Sequence, residues 1–293
     1  MNSYVRNLKF VFFGSFHIST EILAQLVAGL PASGGAKGDQ GGFMPTHVIC
    51  SPDRPAGRKK IITPPAIKKL ILERAWPIEI MQPEKLEIEN LKLEIGEVDL
   101  AVVMGYPHII PDSIINLPRL GTIGVHPSLL PLYRGASPIQ SVLLAGETET
   151  GVTLYQMDAK MDNGPILAQR KSQIALEDTN ETLGHKLSKI AGELLVETIP
   201  KFLKGEIKPQ EQDHAKATFT RKFTTADGQV DMINDKPEII YNKIRAFNPE
   251  PGCWTMNFPG REGKRVKLLG ATMQDGELKI TEIQPDGKKP MKV

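Results

Sequence analysis

Cysteine is scarce in this chain, and its scarcity excludes one class of functional site. The 293 residues include two cysteines, Cys50 and Cys253, which lie far apart and show no metal-ligand spacing. A cysteine-ligated metal site is therefore excluded, and we expect no metal. Isolated thiols of this kind are typical of buried, reduced cysteines, so we expect a cytoplasmic protein.

Long apolar runs and an excess of one charge are also missing. The apolar run nearest the N-terminus, residues 10–13, is too short for the core of a signal peptide, and no stretch approaches the length of a membrane span. We therefore expect no membrane segment. Lys and Arg number 36 against 34 Asp and Glu, and a net charge of +2 is too small to indicate nucleic-acid binding by itself.

What remains is the composition of an ordinary globular protein, 40% apolar and 24% charged. A chain of 293 residues can form one large core or two domains, and two are the better expectation at this length. Residues 204–212 are polar and rich in turn formers, which is typical of a boundary between domains. We therefore divide the chain into residues 1–205 and residues 206–293.

The first part alternates apolar runs with helical patterns. Residues 8–13 form a compact apolar run that ends at Gly14, and a helix is predicted directly after it. Further buried strands are predicted at 46–50 and 99–104. Strand, glycine turn and helix in this order predict an α/β domain with a parallel sheet. The Gly-rich segment 31–42 cannot bury enough apolar surface to order itself, and we expect a flexible loop there.

The second part has a different pattern. Short apolar or alternating runs, separated by turn formers, lie at 230–233, 255–258, 265–269 and 278–283 and are candidate strands. One helix is predicted at 237–246. This pattern predicts a small β-rich barrel.

Candidate catalytic residues are concentrated between residues 121 and 164. An apolar run at 122–125 leads to His126 at the start of a loop rich in proline and glycine, and a second strand is predicted at 151–155 with Asp162 in the turn after it. A histidine and a carboxylate at neighbouring strand ends can transfer protons as a pair, with the carboxylate orienting the imidazole or a water. Taken alone, His126 is more often a structural histidine, so its catalytic role is a hypothesis at this point.

The same region carries the motifs of a known family. Three sequences resemble the signature of the folate-dependent formyltransferases: HPSLLPLYRGASPIQ at 126–140, TGVT at 150–153 and MDAKMDNGPI at 157–166. The resemblance implies that His126 and Asp162 are catalytic. In the family an asparagine two residues before the histidine completes the catalytic group, whereas this chain has Gly124 there.

The resemblance also implies a folate co-substrate. In the family the loop after the third strand forms part of the wall that holds the pterin of 10-formyltetrahydrofolate, and the apolar residues of this loop suit a ring. The contacts implied for this chain are Gly105, Tyr106, His108, Ile109, Ser128, Leu129, Leu130, Pro131 and Asp158. His108 stands where relatives usually have an apolar residue; it either acts near the site or is a packing or solvent-facing histidine, the commoner case.

A second functional segment is basic. Six Lys or Arg and one acid lie from Asp53 to Lys69, in a stretch rich in proline that cannot be core. Such a loop either projects and attracts polyanions or is simply solvated. The sequence PDRPAGRKK at 52–60 is similar to the loop with which methionyl-tRNA formyltransferases engage the acceptor end of initiator tRNA. The resemblance therefore implies tRNA contacts at Arg54, Arg58, Lys59 and Lys60.

The resemblance extends into the second part. The sequence RAFNPEPGCW at 245–254 is similar to part of the C-terminal OB-like barrel of the family members that formylate charged tRNA. Members usually run past the motif GKKPM at 287–291, so we expect a few further residues at the C-terminus. The implied architecture is a Rossmann-like, parallel-sheet formyltransferase domain followed by a small OB-like, tRNA-binding β-barrel.

The combined hypothesis is an enzyme that moves the formyl group of 10-formyltetrahydrofolate to the α-amine of initiator methionyl-tRNA, as a cytoplasmic monomer. Two other hypotheses stay open. One is a formyltransferase of the same fold that acts on an amino-sugar nucleotide, although the basic loop and the C-terminal domain count against it. The other is a catalytically impaired homologue that binds folate or tRNA, which Gly124 favours and which His126 and Asp162 disfavour.

Overall fold

The computed structural model describes residues 8–29, 42–57 and 60–293. Nearly all of the Gly-rich segment, and Arg58 and Lys59 of the basic loop, lie outside the described residues. The chain forms two compact units, each made from several stretches of sequence. The first comprises Met1–Pro131, Gly151–Arg170 and His185–Lys216, and the second comprises Leu132–Thr150, Lys171–Gly184 and Ala217–Val293.

A seven-stranded sheet forms the centre of the α/β part, in the order β10-β9-β7-β6-β1-β2-β5. The strands up to residue 173 are, in chain order, β1 (Phe10–Phe13), β2 (His47–Ile49), β3 (Arg54–Ala56), β4 (Ile61–Thr63), β5 (Glu79–Met81), β6 (Leu100–Val103), β7 (Thr122–His126), β8 (Arg134–Gly135), β9 (Glu149–Gln156) and β10 (Ile166–Gln173). Strands β5, β2, β1, β6 and β7 are parallel, and β9 is antiparallel to β7. All four residues of β1 are buried, as expected for a parallel strand covered on both faces.

Helices with buried apolar residues accompany these strands in the sequence. They are α1 (His17–Ala28), α2 (Ala66–Glu73), α3 (Ile88–Ile95), α4 (Asp112–Ile115), α5 (Pro138–Leu144) and α6 (Asn180–Leu203). In α1 the buried residues Ile22, Leu23 and Leu26 lie on one face at helical spacing. Leu91 and Ile95 of α3 join the core cluster that contains Phe13 of β1. The predicted α/β class with a parallel sheet is confirmed.

The chain order of the strands reverses at one point in the sheet. β2 lies on one side of β1 and β6 on the other, so the direction of strand succession reverses between β1 and β6. In open α/β sheets, ligands bind outside the carboxyl ends of the strands at such a reversal. The two loops that leave β1 and β6 are joined here, because Ser15 N donates to Gly105 O (3.0 Å) and Ser19 Oγ donates to Met104 O (2.7 Å).

The second part is built on a small antiparallel sheet. Its elements are β11 (Phe219–Thr220), α7 (Pro237–Phe247), β12 (Cys253–Thr255), β13 (Val266–Gln274), β14 (Glu277–Pro285) and β15 (Met291–Lys292). Strands β12 to β15 pair in sequence order, and α7 lies against them through Ile240 and Ile244. The predicted succession of a parallel-sheet domain and a small β domain is confirmed.

Two sequence-based strand assignments in this part were wrong. Residues 230–233 do not form a strand, and a turn follows at 232–234, because the Asp231 carboxylate accepts hydrogen bonds from Ile233 N (2.9 Å) and Asn234 N (3.1 Å). Side chains of this type draw backbone donors away from a strand ladder. The strand predicted at 255–258 instead spans Cys253–Thr255.

Both cysteines are free and buried, as predicted. Burial raises the pKa of each thiol to about 12, so both remain protonated and poorly nucleophilic at neutral pH. Within the described residues, no group of three His, Cys, Asp or Glu side chains could hold a metal ion. No helix of that part of the chain is long and apolar enough to cross a membrane.

Candidate active site

The predicted histidine and aspartate are in contact in the first unit. His126 is the last residue of β7, and its Nδ1 lies 3.5 Å from Asp162 Oδ2. His126 is 5% exposed, and the Asp162 side chain is 13% exposed. Electrostatic contacts screened this well from water are stronger than contacts at the surface. The strand end that delivers His126 and the turn that holds Asp162 thus form a buried histidine–carboxylate pair.

The turn that carries Asp162 is held by side-chain hydrogen bonds. The Asp158 carboxylate accepts from Lys160 N (3.0 Å) and from Asn163 Nδ2 (2.8 Å). Gln212 Nε2 donates to Asp162 O (3.0 Å) and to Gly164 O (2.7 Å). Asp162 itself has a φ of 51°, in the left-handed region that non-glycine residues rarely adopt. Such conformations persist where the surroundings enforce them, and they cluster at functional sites.

Gly124 occupies the position of the family's asparagine, and its surroundings are filled by Tyr155. The two residues are paired across β7 and β9. A Cβ on Gly124 would lie 2.4–2.7 Å from the Cζ, Cε1 and hydroxyl oxygen of Tyr155. Tyr155 Oη donates to Asp162 Oδ1 at 2.8 Å, on the same carboxylate that faces His126. The sequence analysis did not identify Tyr155; the signal lay in the register of β7 against β9, where glycine faces tyrosine.

The first group of predicted folate contacts lies at the carboxyl end of β6. Gly105 has a φ of 62°, so the chain turns sharply as it leaves the strand. Tyr106 packs edge-on against the rings of Phe13 (centroids 5.6 Å apart) and His108 (5.5 Å). Burial raises the pKa of Tyr106 to about 12, so its phenol stays neutral. His108 is exposed and Ile109 is 89% exposed, and both therefore face solvent beyond the end of β6.

The second group, Ser128, Leu129, Leu130 and Pro131, forms the loop after β7. Thr153 Oγ1 donates to Ser128 O (2.7 Å) and accepts from Leu130 N (3.0 Å). Gln169 Nε2 donates to Leu130 O (2.8 Å). Because β6 and β7 are neighbouring parallel strands, their loops meet at one edge of the sheet. Thr153 and Gln169 are supporting residues that the sequence analysis missed.

The basic loop is a hairpin rather than an irregular loop. Strands β3 and β4 pair antiparallel, and all their residues are exposed. Ile61 and Ile62 are each 62% exposed. Arg54 Nη2 lies 2.6 Å from Glu84 Oε2, in a pair exposed to solvent. Lys68 Nζ contacts Asp53 (2.9 Å), and the hydrogen bonds of Gln82 and Lys68 lower the pKa of that carboxyl. Part of the positive charge counted in the sequence is thus already engaged within the protein.

Comparison with known proteins identifies both parts of the chain. Residues 33–199 match the family model described as formyl transferase, and residues 222–277 match the formyl transferase C-terminal domain. Methionyl-tRNA formyltransferase of Listeria monocytogenes serotype 4b (strain CLIP80459) is 38% identical, over 97% of this chain and 93% of the relative. The enzyme of the same name from Staphylococcus epidermidis (strain ATCC 12228 / FDA PCI 1200) is 37% identical, over 97% of this chain and 94% of the relative.

A solved structure gives the same result at the level of the fold. Methionyl-tRNA formyltransferase from Clostridium thermocellum superposes with a TM-score of 0.60 at 17% identity, and the match covers 95% of this chain and 98% of that one. With both family models matched and relatives of this identity aligned along nearly its full length, the chain belongs to the formyl transferase family.

Proposed function

We propose that this chain transfers a formyl group from 10-formyltetrahydrofolate to the α-amine of methionine on initiator tRNA. The observation that carries the proposal is the buried contact between His126 and Asp162 at the carboxyl edge of the parallel sheet. It lies in a chain that is 38% identical to methionyl-tRNA formyltransferases.

The pair has a defined task in this reaction. An amine attacks a formyl carbon as its free base, so a group must take up the proton that the amine loses. With His126 Nδ1 facing Asp162 Oδ2, the carboxylate favours the tautomer that carries its proton on Nδ1. Nε2 of the same ring is then the atom that accepts the proton from the amine, directly or through a water, and it returns a proton to N10 of the folate as the bond between N10 and the formyl carbon breaks. Asp162 orients the imidazole and stabilises its charged form.

The folate site belongs to the loops after β6 and β7. Bound 10-formyltetrahydrofolate supplies an activated formyl group, and the chain's own residues hold it beside the histidine. Ile109 and Tyr106 offer apolar surface to the pterin, and Thr153 and Gln169 hold the loop 128–131 in place through its backbone. Asp158 contributes by shaping the turn that carries Asp162.

The hairpin β3–β4 is the proposed contact for the acceptor end of the tRNA. It projects, and Arg54, Lys60 and the exposed isoleucines lie on its described part. The basic residues Arg58 and Lys59 complete its sequence. We place the C-terminal part, residues 206–293, against the tRNA as well, and keep residues 1–205 as the formyltransferase domain.

Replacing Arg58, Lys59 and Lys60 with alanine is expected to weaken tRNA binding while folate affinity stays the same. Each phosphate contact that is lost reduces the slope of log K against log salt by about 0.7–0.9. Binding of initiator tRNA is measured between about 50 and 200 mM salt, a range over which several phosphate contacts change the affinity strongly. A matched control removes equal charge from exposed helix positions, by alanine at Lys92, Lys189 and Lys201. If both variants bind tRNA with the same slope, the hairpin is only a solvated surface.

A single-turnover assay tests the proposed function directly. Enzyme in excess is mixed with initiator tRNA charged with methionine and with 10-formyltetrahydrofolate, and formyl-methionyl-tRNA is expected. Formylation of an amino-sugar nucleotide in its place would support the same fold with another substrate. Folate binding without any turnover would support the catalytically impaired homologue that Gly124 suggests.

Location and assembly complete the proposal. Charged initiator tRNA is a cytoplasmic substrate, and the two free, buried thiols suit that compartment. A monomer is our proposal for the assembly state, and light scattering coupled to size-exclusion chromatography measures it.

A further inference from the structure

The space beside Gly124 is occupied by the aromatic ring of another residue. Strands β7 and β9 pair so that Gly124 faces Tyr155, and Tyr155 is 4% exposed. A Cβ at position 124 would approach the tip of the ring to 2.4–2.7 Å, closer than real side chains pack. The absence of a side chain at 124 and the presence of a large one at 155 are therefore two parts of one arrangement.

The tip of that ring reaches the catalytic carboxylate. Tyr155 Oη donates a 2.8 Å hydrogen bond to Asp162 Oδ1, while Asp162 Oδ2 faces His126 Nδ1 at 3.5 Å. One carboxylate thus has a different partner on each oxygen. A carboxylate held at one oxygen cannot rotate freely about its Cβ–Cγ bond, so its second oxygen stays directed at the imidazole. A hydrogen bond from a neutral donor to a charged acceptor is among the stronger ones in proteins.

We infer that Tyr155 is a positioning residue for the reaction: its hydroxyl, in the space left by Gly124, fixes the Asp162 carboxylate against His126. The inference rests on the proposed function for its effect on rate. The side chain acts through Asp162 and is not assigned a contact with substrate. The space of the family's asparagine is thus filled by the side chain of Tyr155 from the neighbouring strand β9, and glycine at 124 leaves room for this ring.

The competing explanation is that Tyr155 only fills space in the core and has no effect on the position of Asp162. Buried tyrosine hydroxyls usually find some acceptor, and the ring alone fills apolar space. Tyr241 provides a matched case within the chain, because it is also buried and its hydroxyl donates to Leu176 O at 3.1 Å in the second unit. Removing either hydroxyl deletes one buried hydrogen bond, but only the one at Tyr155 ends on Asp162.

The kinetic test compares Tyr155→Phe with Tyr241→Phe. We expect Tyr155→Phe to lower kcat by about 10- to 100-fold, because a small misplacement of a catalytic group carries losses of this size. KM for both substrates stays within about twofold, since binding surfaces are untouched. Tyr241→Phe is expected to leave kcat within about twofold at a similar loss of stability. Equal kcat in Tyr155→Phe and wild type would overturn the inference.

A reciprocal exchange tests the shared space and covers a failure of the phenylalanine variant to fold. Gly124→Asn alone should lower both stability and kcat, because the new side chain meets the ring of Tyr155. Tyr155→Leu alone should lower kcat, because the hydroxyl is gone. The double variant Gly124→Asn with Tyr155→Leu has room for the amide, and we expect its kcat to exceed that of either single variant by about tenfold. Losses that simply multiply would count against the exchange.

A spectroscopic readout separates this inference from the proposed function. The chain has six histidines, and the ring signals of His126 are assigned by comparison with His126→Ala in long-range ¹H–¹⁵N correlation spectra. One tautomer is expected to dominate in wild type, and Tyr155→Phe should shift the ring nitrogens toward an exchanging mixture. Unchanged ring signals would contradict the inference even if the enzyme formylates tRNA. If Tyr155→Phe shifts the ring signals of His126 as expected but the wild-type enzyme does not formylate methionyl-tRNA, only the proposed function would be contradicted.

Discussion

Alanine at position 126 or asparagine at position 162 is expected to lower kcat for formyl transfer by about 10²–10⁴-fold, the range that a positioned proton acceptor contributes. The double variant should be little slower than the slower single variant, because residues that act as a unit give non-additive losses. The physical reason is the contact between His126 Nδ1 and Asp162 Oδ2, because through it both side chains serve the same proton transfer. Single-turnover rates with methionyl-tRNA at saturating folate measure the effect.

A second histidine–carboxylate pair of the first unit supplies the control. His185 Nδ1 lies 3.1 Å from Glu21 Oε2, but the His185 side chain is 60% exposed. His185→Ala and Glu21→Gln are therefore expected to leave kcat within about twofold, because exposed pairs contribute little. Retained activity in either His126→Ala or Asp162→Asn would remove that residue from the proposed mechanism. Independent, multiplying losses would speak against a shared proton path.

Gly164→Ala is expected to destabilise the protein by about 3 kcal/mol, at the upper end of ordinary overpacking. A Cβ there would lie 1.8 Å from Gln156 O, which is backbone and cannot rotate away. That backbone is fixed on both sides, because Gln156 N donates to Pro165 O (2.9 Å) and Met157 N donates to Thr122 O (2.8 Å). Any relief must therefore move the turn that carries Asp162, so kcat should fall together with stability. Urea unfolding followed by circular dichroism measures the first effect.

Gly205→Ala is the matched substitution for this prediction. Gly205 has a φ of +68° with no atom within 4 Å of its would-be Cβ, so alanine there bears backbone strain alone. That strain amounts to about 1–2 kcal/mol. We expect Gly205→Ala to retain wild-type kcat while it loses some stability. Equal stability and equal activity of the two variants would show that the turn at Gly164 can relax without cost to the site.

Much of the catalytic edge could be predicted from the sequence. Compact apolar runs mark β1, β6 and β7, and the carboxyl ends of parallel strands share an edge, so loops after these strands must meet. The contact between His126 and Asp162 follows from the same reasoning, since each residue lies where a strand gives way to a turn.

What the sequence could not supply was register and long-range side-chain pairing. Tyr155 lies in a strand that was predicted, but its place opposite Gly124 depends on how β7 and β9 align. Gln212 is 50 residues from Asp162 in sequence, and no local pattern connects the two. The basic hairpin was also missed, because strands of three exposed residues show little periodicity. At residues 230–233, side-chain hydrogen bonding outweighed the strand tendency of the apolar residues.

The hydrogen bonds of Gln212 have a consequence for dissecting the molecule into fragments. A truncation designed from composition would stop at residue 205, inside the polar linker that begins at residue 204. Such a fragment would lack Gln210, whose backbone bridges Ile166, and Gln212, whose amide holds Asp162 O and Gly164 O. A piece that keeps these braces on its active-site turn must therefore extend at least through Gln212. Chimaeras that exchange C-terminal halves between relatives should be joined after that residue. The segment that holds the turn of Asp162 then stays with the catalytic half.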